Sequence, residues 1–476
     1  MNLKPTIGLE IHIELATKSK MFCSCPNISD EEHPNVNICE ICTGQPGVLP
    51  VINKEAVIYT IKLAKALNCQ INKFSYFARK NYFYPDLPKN YQISQYELPL
   101  AVNGYLSFYL NDQLNKIRIR RIHLEEDTGK LLHLANYSLV DFNRAGIPLL
   151  ELVTEPDLHS AEEAKAFVEE LILVIRCLKI SGANPEKGEI RFEANVSLSS
   201  NDQLGTKVEI KNLGSIKSLK EAIEYEIERQ KILILKGEKI IQETRGFDEQ
   251  KRITVSQRFK ESSEDYRYFP EPDLPPLKLT DEFLNSITLP ELPLQKRNRF
   301  ISEYNLSLKE VNILIKNTTA CYFYEQTISE LKSELTNFDN RFVYNILVND
   351  IYGLLEKYNK NFDDLNFTPH HLAHLIKEYY IGNLNIKLVK KILEEAIKHN
   401  HYIEDLLKKF KKIDDLGELE KLVTETIDNN PKAVSDYLAG KENALQFLIG
   451  YVMKKTKGQV DINLIKQLLL ERLKND

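Results

Sequence analysis

The chain has no tryptophan, three methionines and no pair of adjacent glycines. It has no G-x-x-x-x-G-K-[ST] and no G-x-G-x-x-G, which excludes a P-loop and a Rossmann turn, so any nucleotide must sit on another kind of surface. No G-x-S-x-G elbow is present, and without a Gly-Gly pair the Gly-Gly-Ser-Ser signature of amidases is excluded. No apolar run reaches membrane-spanning length, and no secretory leader is expected ahead of the strand at residue 7. The net charge of −5 over 476 residues gives no overall basic footprint, although partners feel local patches. Seven cysteines make an odd set, four of them at metal-like spacing rather than spread as a disulfide framework, which points to a reducing, cytoplasmic compartment.

Proline is also scarce where it matters: 17 of 19 lie at or before Pro293, leaving only Pro369 and Pro431 beyond it. The first part, residues 1–293, mixes alternating strand runs with turns such as "YPDLPKNY". It carries at least two helices, one behind Ser160-x-x-Glu163 and stopping before Gly182, the other running through "SLKEAIEYEIERQKILILK" to Gly237. Residues 294–403 repeat apolar positions three and four apart, as in "LVKKILEEAIKH", and read as an all-helical domain. Residues 404–476 read as a small helical tail. The class is α+β.

What is present at the start is a strict alternation. In "IGLEIHIEL", Ile7, Leu9, Ile11, Ile13 and Leu15 fall on one side of an extended chain, and Glu10, His12 and Glu14 on the other. The pattern recurs with Arg121, His123 and Glu125; with Arg191, Glu193, Asn195 and Ser197; and with Lys207, Glu209 and Lys211. "SNDQLG" joins the last two runs as a hairpin loop, which makes them antiparallel neighbours. The plainer alternative is a solvated sheet face. Four strands that each carry a carboxylate favour convergence instead, because clustered carboxylates repel and a divalent cation with a polyphosphate relieves that repulsion. Glu10, Glu125, Glu193 and Glu209 are then metal candidates; His12 suits a softer metal or orients a carboxylate. Arg121, Arg191, Lys207 and Lys211 are phosphate partners.

Cys23-x-Cys25, thirteen residues, then Cys39-x-x-Cys42 matches a closed tetrahedral zinc site with a structural role; four packed thiols are the alternative. Arg79, Lys80 and Lys89 lie among aromatics and prolines in a loop that either contacts phosphate or a nucleic-acid end or is a rigid packed turn. Lys454, Lys455 and Lys457 close a helix, where the helix dipole favours cations in any protein; the other reading is a nucleic-acid backbone contact, shared with Lys408 and Lys409. His370, His371 and His374 are a weak metal signal and read as surface.

Taken together, "GLEIHIEL", "TKSKMFCSC", "PGVLPVIN", "RKNYFYPDLPKNYQISQYE", "RIHLEEDTGK", "DFNRAGIPLLELVTEPD", "VEIKNLGS", "QETRGFDE" and "DYRYFPEPDLPP" resemble the B-subunit family of the tRNA-dependent amidotransferases, as does "ENALQFLIGYVMKKTKGQVDINLIKQLL" near the C-terminus. The absence of a large insertion fits the bacterial type. The resemblance implies an antiparallel-sheet cradle like the glutamine synthetase catalytic fold, then a helical domain and a tRNA-binding tail. It implies ATP and Mg²⁺, phosphorylation of the side-chain carboxylate of misacylated Glu-tRNA(Gln) or Asp-tRNA(Asn), and ammonia from a separate amidase (A) subunit in a heterotrimer with a small C subunit. No membrane is involved. Glu10, His12, Glu125 and Glu209 fall in matching motifs as metal and catalytic residues, with Glu126 adjacent and Lys211 beside them. One departure stands out: the family's usual Arg-Cys-Asp-Val-Asn-Val-Ser is Arg191-Phe192-Glu193-Ala194-Asn195-Val196-Ser197 here, so Glu193 is a methylene longer, and Phe192 and Ala194 are expected to compensate in packing. Two rival functions are a stand-alone ligase for small carboxylic acids and a non-catalytic tRNA scaffold.

Overall fold

The computed structural model describes residues 3–28, 31–201, 203–259, 266–410, 416–456, 460 and 462–475. Two compact units divide the chain, Met1–Lys296 and Arg297–Asp476.

The first unit is built on a nine-stranded sheet. In chain order its strands are β1 (Lys4–Glu14), β2 (Gln70–Ile71), β3 (Ala101–Leu110), β4 (Gln113–Glu126), β5 (Pro148–Thr154), β6 (Ile190–Ser199), β7 (Val208–Leu213), β8 (Glu243–Asp248) and β9 (Ile253–Phe259). Their spatial order is β9-β8-β7-β6-β1-β5-β4-β3-β2. Every neighbouring pair is antiparallel except β7 and β8. β1 therefore lies near the middle of the sheet, between β6 and β5.

The alternation sorts the two faces as expected. Ile7, Leu9, Ile11 and Ile13 are buried in one core with Ile61 of α1 (Lys54–Ala66), Phe167 and Leu171 of α2 (Ala161–Leu178) and Leu219 and Ile223 of α3 (Ile216–Leu235). Phe192 and Ala194 of β6 join the same core, so the departure at those positions is absorbed on the apolar side. Fully burying a side chain of this size stabilises by roughly 1.5–3 kcal/mol, and Phe192→Ala would cost about 3–5 kcal/mol.

Both expected helices, α2 and α3, form where the sequence indicates. Ser160 caps α2 by accepting from Glu163 N at 3.1 Å, but the Glu163 carboxylate accepts from His159 N rather than closing a reciprocal box. α2 stops at Leu178 because Lys179 adopts a left-handed φ of 55°, three residues ahead of Gly182.

A small three-stranded sheet, Phe269–Pro270, Ala78–Asn81 and Tyr91–Ser94, stands beside the large one. The second unit is helical among its described residues. Helix Ile403–Phe410 packs on Pro369–Tyr380, where His374 Nδ1 meets Glu404 at 2.8 Å. Leu419, Val423, Leu448, Val452, Ile465 and Leu469 form a separate apolar core among the last helices.

Candidate active site

The register aligns polar side chains in a band across five strands. On β1, Glu10 lies opposite Glu193 of β6, and His12 lies opposite Glu151 of β5. Glu151 in turn lies opposite His123 of β4, and Asn195 of β6 opposite Glu209 of β7. The band divides into two groups, each with three ligand atoms within 4.8 Å of one another: His12, Glu125 and Glu151, and Glu10, Glu193 and Glu209.

In the first group, His12 Nε2 is 3.5 Å from Glu151 and 3.9 Å from Glu125, and His123 Nε2 is 3.4 Å and 3.8 Å from the same two carboxylates. Burial disfavours the charged imidazole of His12, but the hydrogen bond and charge of Glu151 override it and push the group up to about 9. Burial would raise Glu151; the facing His123 and His12 hold it below the ordinary carboxylate range. In the second group, burial and the neighbouring Glu151, Glu193 and Glu209 raise Glu10. Asn195 Nδ2 donates to Glu10 at 2.9 Å, Thr244 Oγ1 to Glu209 at 2.7 Å and Lys211 Nζ to Glu193 at 3.0 Å. Burial alone would lower Lys211, yet Glu193 and Glu209 raise it, so it stays charged.

A hollow of about 620 Å³ opens over this band and is lined by His12, Glu125, Glu193, Arg191, Lys211 and Lys80 among others. Arg191 Nη2 pairs with Asp127 at 2.8 Å at its edge. Arg121 stands 3.7 Å from Glu151. Three buried atoms on this face, Arg121 Nε, His123 Nδ1 and Asn195 Oδ1, have no hydrogen-bond partner. Native proteins rarely leave buried polar atoms unmet, so these three are open to a bound ligand or water. The all-carboxylate group suits a hard cation such as Mg²⁺, whose octahedron spaces its ligands by roughly 3–4 Å; the group with His12 also admits softer ions.

Not every sequence candidate arrives. Arg79 does not line the basin: it forks onto Glu271 at 2.7 and 2.8 Å, reaches Asp273 at 3.2 Å and stacks on Tyr91. Lys89 pairs with Glu126 at 2.7 Å and does not line the basin. Glu126 itself points to the opposite side of β4 from Glu125, because neighbouring strand residues alternate, and Ile93 N donates to it at 2.9 Å. Glu126 and Lys89 line a separate narrow hollow of about 90 Å³ together with Cys23 and Cys42. Lys207 is exposed ahead of β7 and does not line the basin. Lys80 does line it, its ammonium 5.0 Å from the Tyr266 ring and 5.8 Å from that of Tyr82; despite burial, Glu125, Tyr268 and Glu151 raise it. Among the tail candidates, Lys408 sits 3.4 Å from Asp405 and Lys455 2.7 Å from Glu425, Lys409 and Lys454 are exposed, and Lys457 lies outside the described residues.

Sequence reasoning missed Glu151 and Asp127. Glu151 shares its strand face with Leu149 and Val153, so no polar alternation marks it; a lone carboxylate inside "PLLELVT" was the available signal. Asp127 lies just past β4, where the period-two argument ends.

Cys23, Cys25, Cys39 and Cys42 bring their sulfurs within 4.8 Å of one another, and Cys39 and Cys42 Sγ are 3.9 Å apart. A zinc tetrahedron with ~2.3 Å arms has edges of about 3.8 Å, so the four thiols fit that ion. A hydrogen bond from Cys23 and the charge of Lys20 push Cys42 down to about 5. Lys20 is fully buried, its Nζ 3.8 Å from Cys42 Sγ.

Residues 5–285, which span the whole basin, match the family described as the GatB/GatE catalytic domain, and residues 323–473 match the GatB domain. The chain belongs to the GatB/GatE family. It is 43% identical to the B subunit of the aspartyl/glutamyl-tRNA(Asn/Gln) amidotransferase of Persephonella marina, with 100% of both chains covered. The proteins of the same name from Thermotoga maritima and Geobacillus kaustophilus are 42% identical (100% of both chains) and 45% identical (99% of both). The GatB/GatE catalytic match thus contains both metal-fit groups and the cysteine quartet.

Proposed function

We propose that this chain is the B component of a glutamine-dependent tRNA amidotransferase, a ligase that converts misacylated Glu-tRNA(Gln), Asp-tRNA(Asn) or both to the amide form. The observation that carries the reading is the pair of metal-fit groups side by side on one sheet face inside the family's catalytic domain, with His12, Glu125 and Glu193 lining one basin.

In this reading ATP lies over the sheet face. Lys80, Arg121, Arg191 and Lys211 hold its phosphates and balance charge as it develops. His12, Glu125 and Glu151, and Glu10, Glu193 and Glu209, would hold divalent cations, Mg²⁺ in the second group. When bound, such ions polarise phosphoryl oxygens and orient the reacting groups. A substrate carboxylate oxygen bonds the γ-phosphorus, the bond to the β-bridging oxygen breaks, and ADP leaves. The nitrogen of ammonia then bonds the acyl carbon, phosphate leaves with the C–O electron pair, and Glu125 takes the surplus proton. Glu126 and Lys89, with their own hollow behind the strand, border the route by which ammonia from the amidase partner would approach.

The cradle with its glutamine-synthetase-like sheet (residues 1–293), the helical domain (294–403) and the tail (404–476) are the proposed division. The tail meets the tRNA backbone through Lys408, Lys409, Lys454, Lys455 and Lys457, a small C subunit completes a cytoplasmic heterotrimer, and the cysteine quartet would hold structural Zn²⁺. No helix among the described residues is long and apolar enough to cross a membrane.

The test is an ammonium-supplied assay with partner subunits, misacylated tRNA and ATP, reading ADP release and amide formation separately. Glu125→Gln should retain tRNA binding and lose amide formation by at least about a hundredfold, within the range expected for general-base removal. Unchanged amide formation in that variant overturns the reading.

A further inference from the structure

The segment between β1 and α1 carries the cysteine quartet and, among its described residues, neither helix nor strand. Tight bonds shape its second half. Cys39 N donates to Cys42 Sγ at 3.2 Å, and the Cys39 carbonyl accepts from Thr43 Oγ1 at 2.7 Å. Gly44 follows with a left-handed φ of 71°. That position has no room for a side chain: a Cβ there would lie 2.5 Å from Lys89 Cγ and 3.2 Å from Lys89 Cα. The loop backbone thus rests on the stem of Lys89, whose ammonium is 2.7 Å from the Glu126 carboxylate.

A second close approach lies beside it. At Gly146, with a φ of 86°, a Cβ would lie 3.4 Å from Cys42 Cβ and 4.0 Å from Glu126 Oε2. Fully buried Lys20 ties the quartet to the same neighbourhood, reaching Cys42 Sγ at 3.8 Å and the Phe142 carbonyl at 3.3 Å. Cys42, Gly44, Lys89, Glu126 and Gly146 all line the hollow of about 90 Å³ behind β4, which shares no described lining residue with the basin. Its volume admits water-sized molecules, and ammonia is of that size.

We propose that the metal-held cysteine loop is a positioning element for ammonia transfer: Gly44 presses Lys89 onto Glu126 and so keeps this hollow sealed from bulk water while ammonia crosses it. The proposal rests on the ammonia-route reading of the hollow. Four thiolates on one zinc would cross-link a loop that has no ladder or helix to fix it. If the loop loosens, the stem of Lys89 is freed, its pair with Glu126 opens to water, and ammonia escapes before it meets the activated acyl group. The loss is specific to nitrogen arriving from glutamine. Ammonium added in excess reaches the basin from solution, where the chemistry is untouched.

The experiment uses the assembled complex with misacylated tRNA and ATP. It reads zinc per chain, amide formed per glutamine hydrolysed, and amide formed from excess ammonium. Wild type should give nearly one amide per glutamine. Gly44→Ala forces a methyl onto Lys89. It should keep the zinc and the ammonium-supported rate and lose coupling by at least about fivefold, the low end of what overpacking costs, with the missing ammonia found in the medium. Gly47→Ala is the control: the backbone there is also left-handed, with a φ of 89°, but a Cβ would meet nothing within 4 Å, so this variant should couple as wild type does. Removing zinc from wild type should reproduce the leak, and restoring zinc should reverse it. Wild-type coupling in Gly44→Ala or in the zinc-free complex overturns the proposal, as does an equal leak from Gly44→Ala and Gly47→Ala. A wild-type complex that forms no amide from either nitrogen source overturns the proposed function instead.

Discussion

Glu14 ends β1 at the rim of the basin. Burial and then the charge of Asp127 push it up to about 8, with Arg191 opposing. A folded-state value above the ordinary one of 4.5 means the folded chain keeps a proton that the unfolded chain has lost. That contribution to stability is complete below the ordinary value and disappears as pH rises through about 8, at no more than about 1.4 kcal/mol per pH unit. Asp127, held low chiefly by Arg191 against its burial, acts only at acid pH. Melting curves should show wild type losing stability relative to Glu14→Gln between pH 6 and 8.5; parallel curves would exclude this protonation.

Two neighbouring cations on one short strand separate structural from functional charge. Arg79 neutralises Glu271, whose side chain is fully buried, while Lys80 faces the basin. Arg79→Met should cost about 3–5 kcal/mol in denaturant unfolding, the usual effect of leaving a buried carboxylate unpaired, and leave nucleotide affinity within twofold. Lys80→Met should do the reverse, weakening nucleotide binding severalfold at little cost in stability. The same shift in both variants would contradict the assignment. The sequence could not separate these two residues, because Glu271 lies 192 positions from Arg79.

Among elements, strand alternation made most of the site legible. The side of each strand that Glu10, His12, Glu125, Glu193 and Glu209 occupy follows from period two alone. Their division into two groups does not, because it depends on the cross-strand register that sets His12 against Glu151 and Glu10 against Glu193. The same lack of register concealed Glu151, and the register shift between β6 and β7, where Ala194 pairs with Ile210 but Phe192 with Leu213, leaves no mark in composition. The cysteine loop was legible in full, since its spacing is local. It predicts one zinc per chain by metal analysis and thiols that react with a disulfide reagent only after chelation. Cys39→Ser should lose the zinc and speed hydrogen exchange in residues 20–50 while the basin still binds Mn²⁺. Four thiols that react at once in the native protein would refute a closed metal site.

At the scale of the whole molecule, the last helices carry an apolar core of their own, from Leu419 to Leu473. Truncation after residue 415 removes that core and leaves helix Ile403–Phe410 on its partner. The shortened chain should keep the melting behaviour of the first unit and bind tRNA at least tenfold more weakly at physiological salt, with a shallower salt dependence because phosphate contacts are lost. An unchanged tRNA dissociation constant would remove the tail from the binding surface. The helical character of this half was readable from spacing and from its near-lack of proline. Whether any of its lysines meets nucleic acid was not, since Lys408 and Lys455 have carboxylates within reach.

All of this depends on a basin that holds cations and a triphosphate at once. Anomalous diffraction from crystals of the assembled complex, soaked with Mn²⁺ and a non-hydrolysable ATP analogue, tests that most directly. Two Mn²⁺ peaks are predicted, one among His12, Glu125 and Glu151 and one among Glu10, Glu193 and Glu209, with the phosphates between them. Nucleotide density at another surface, with neither carboxylate group carrying a peak, would contradict the account.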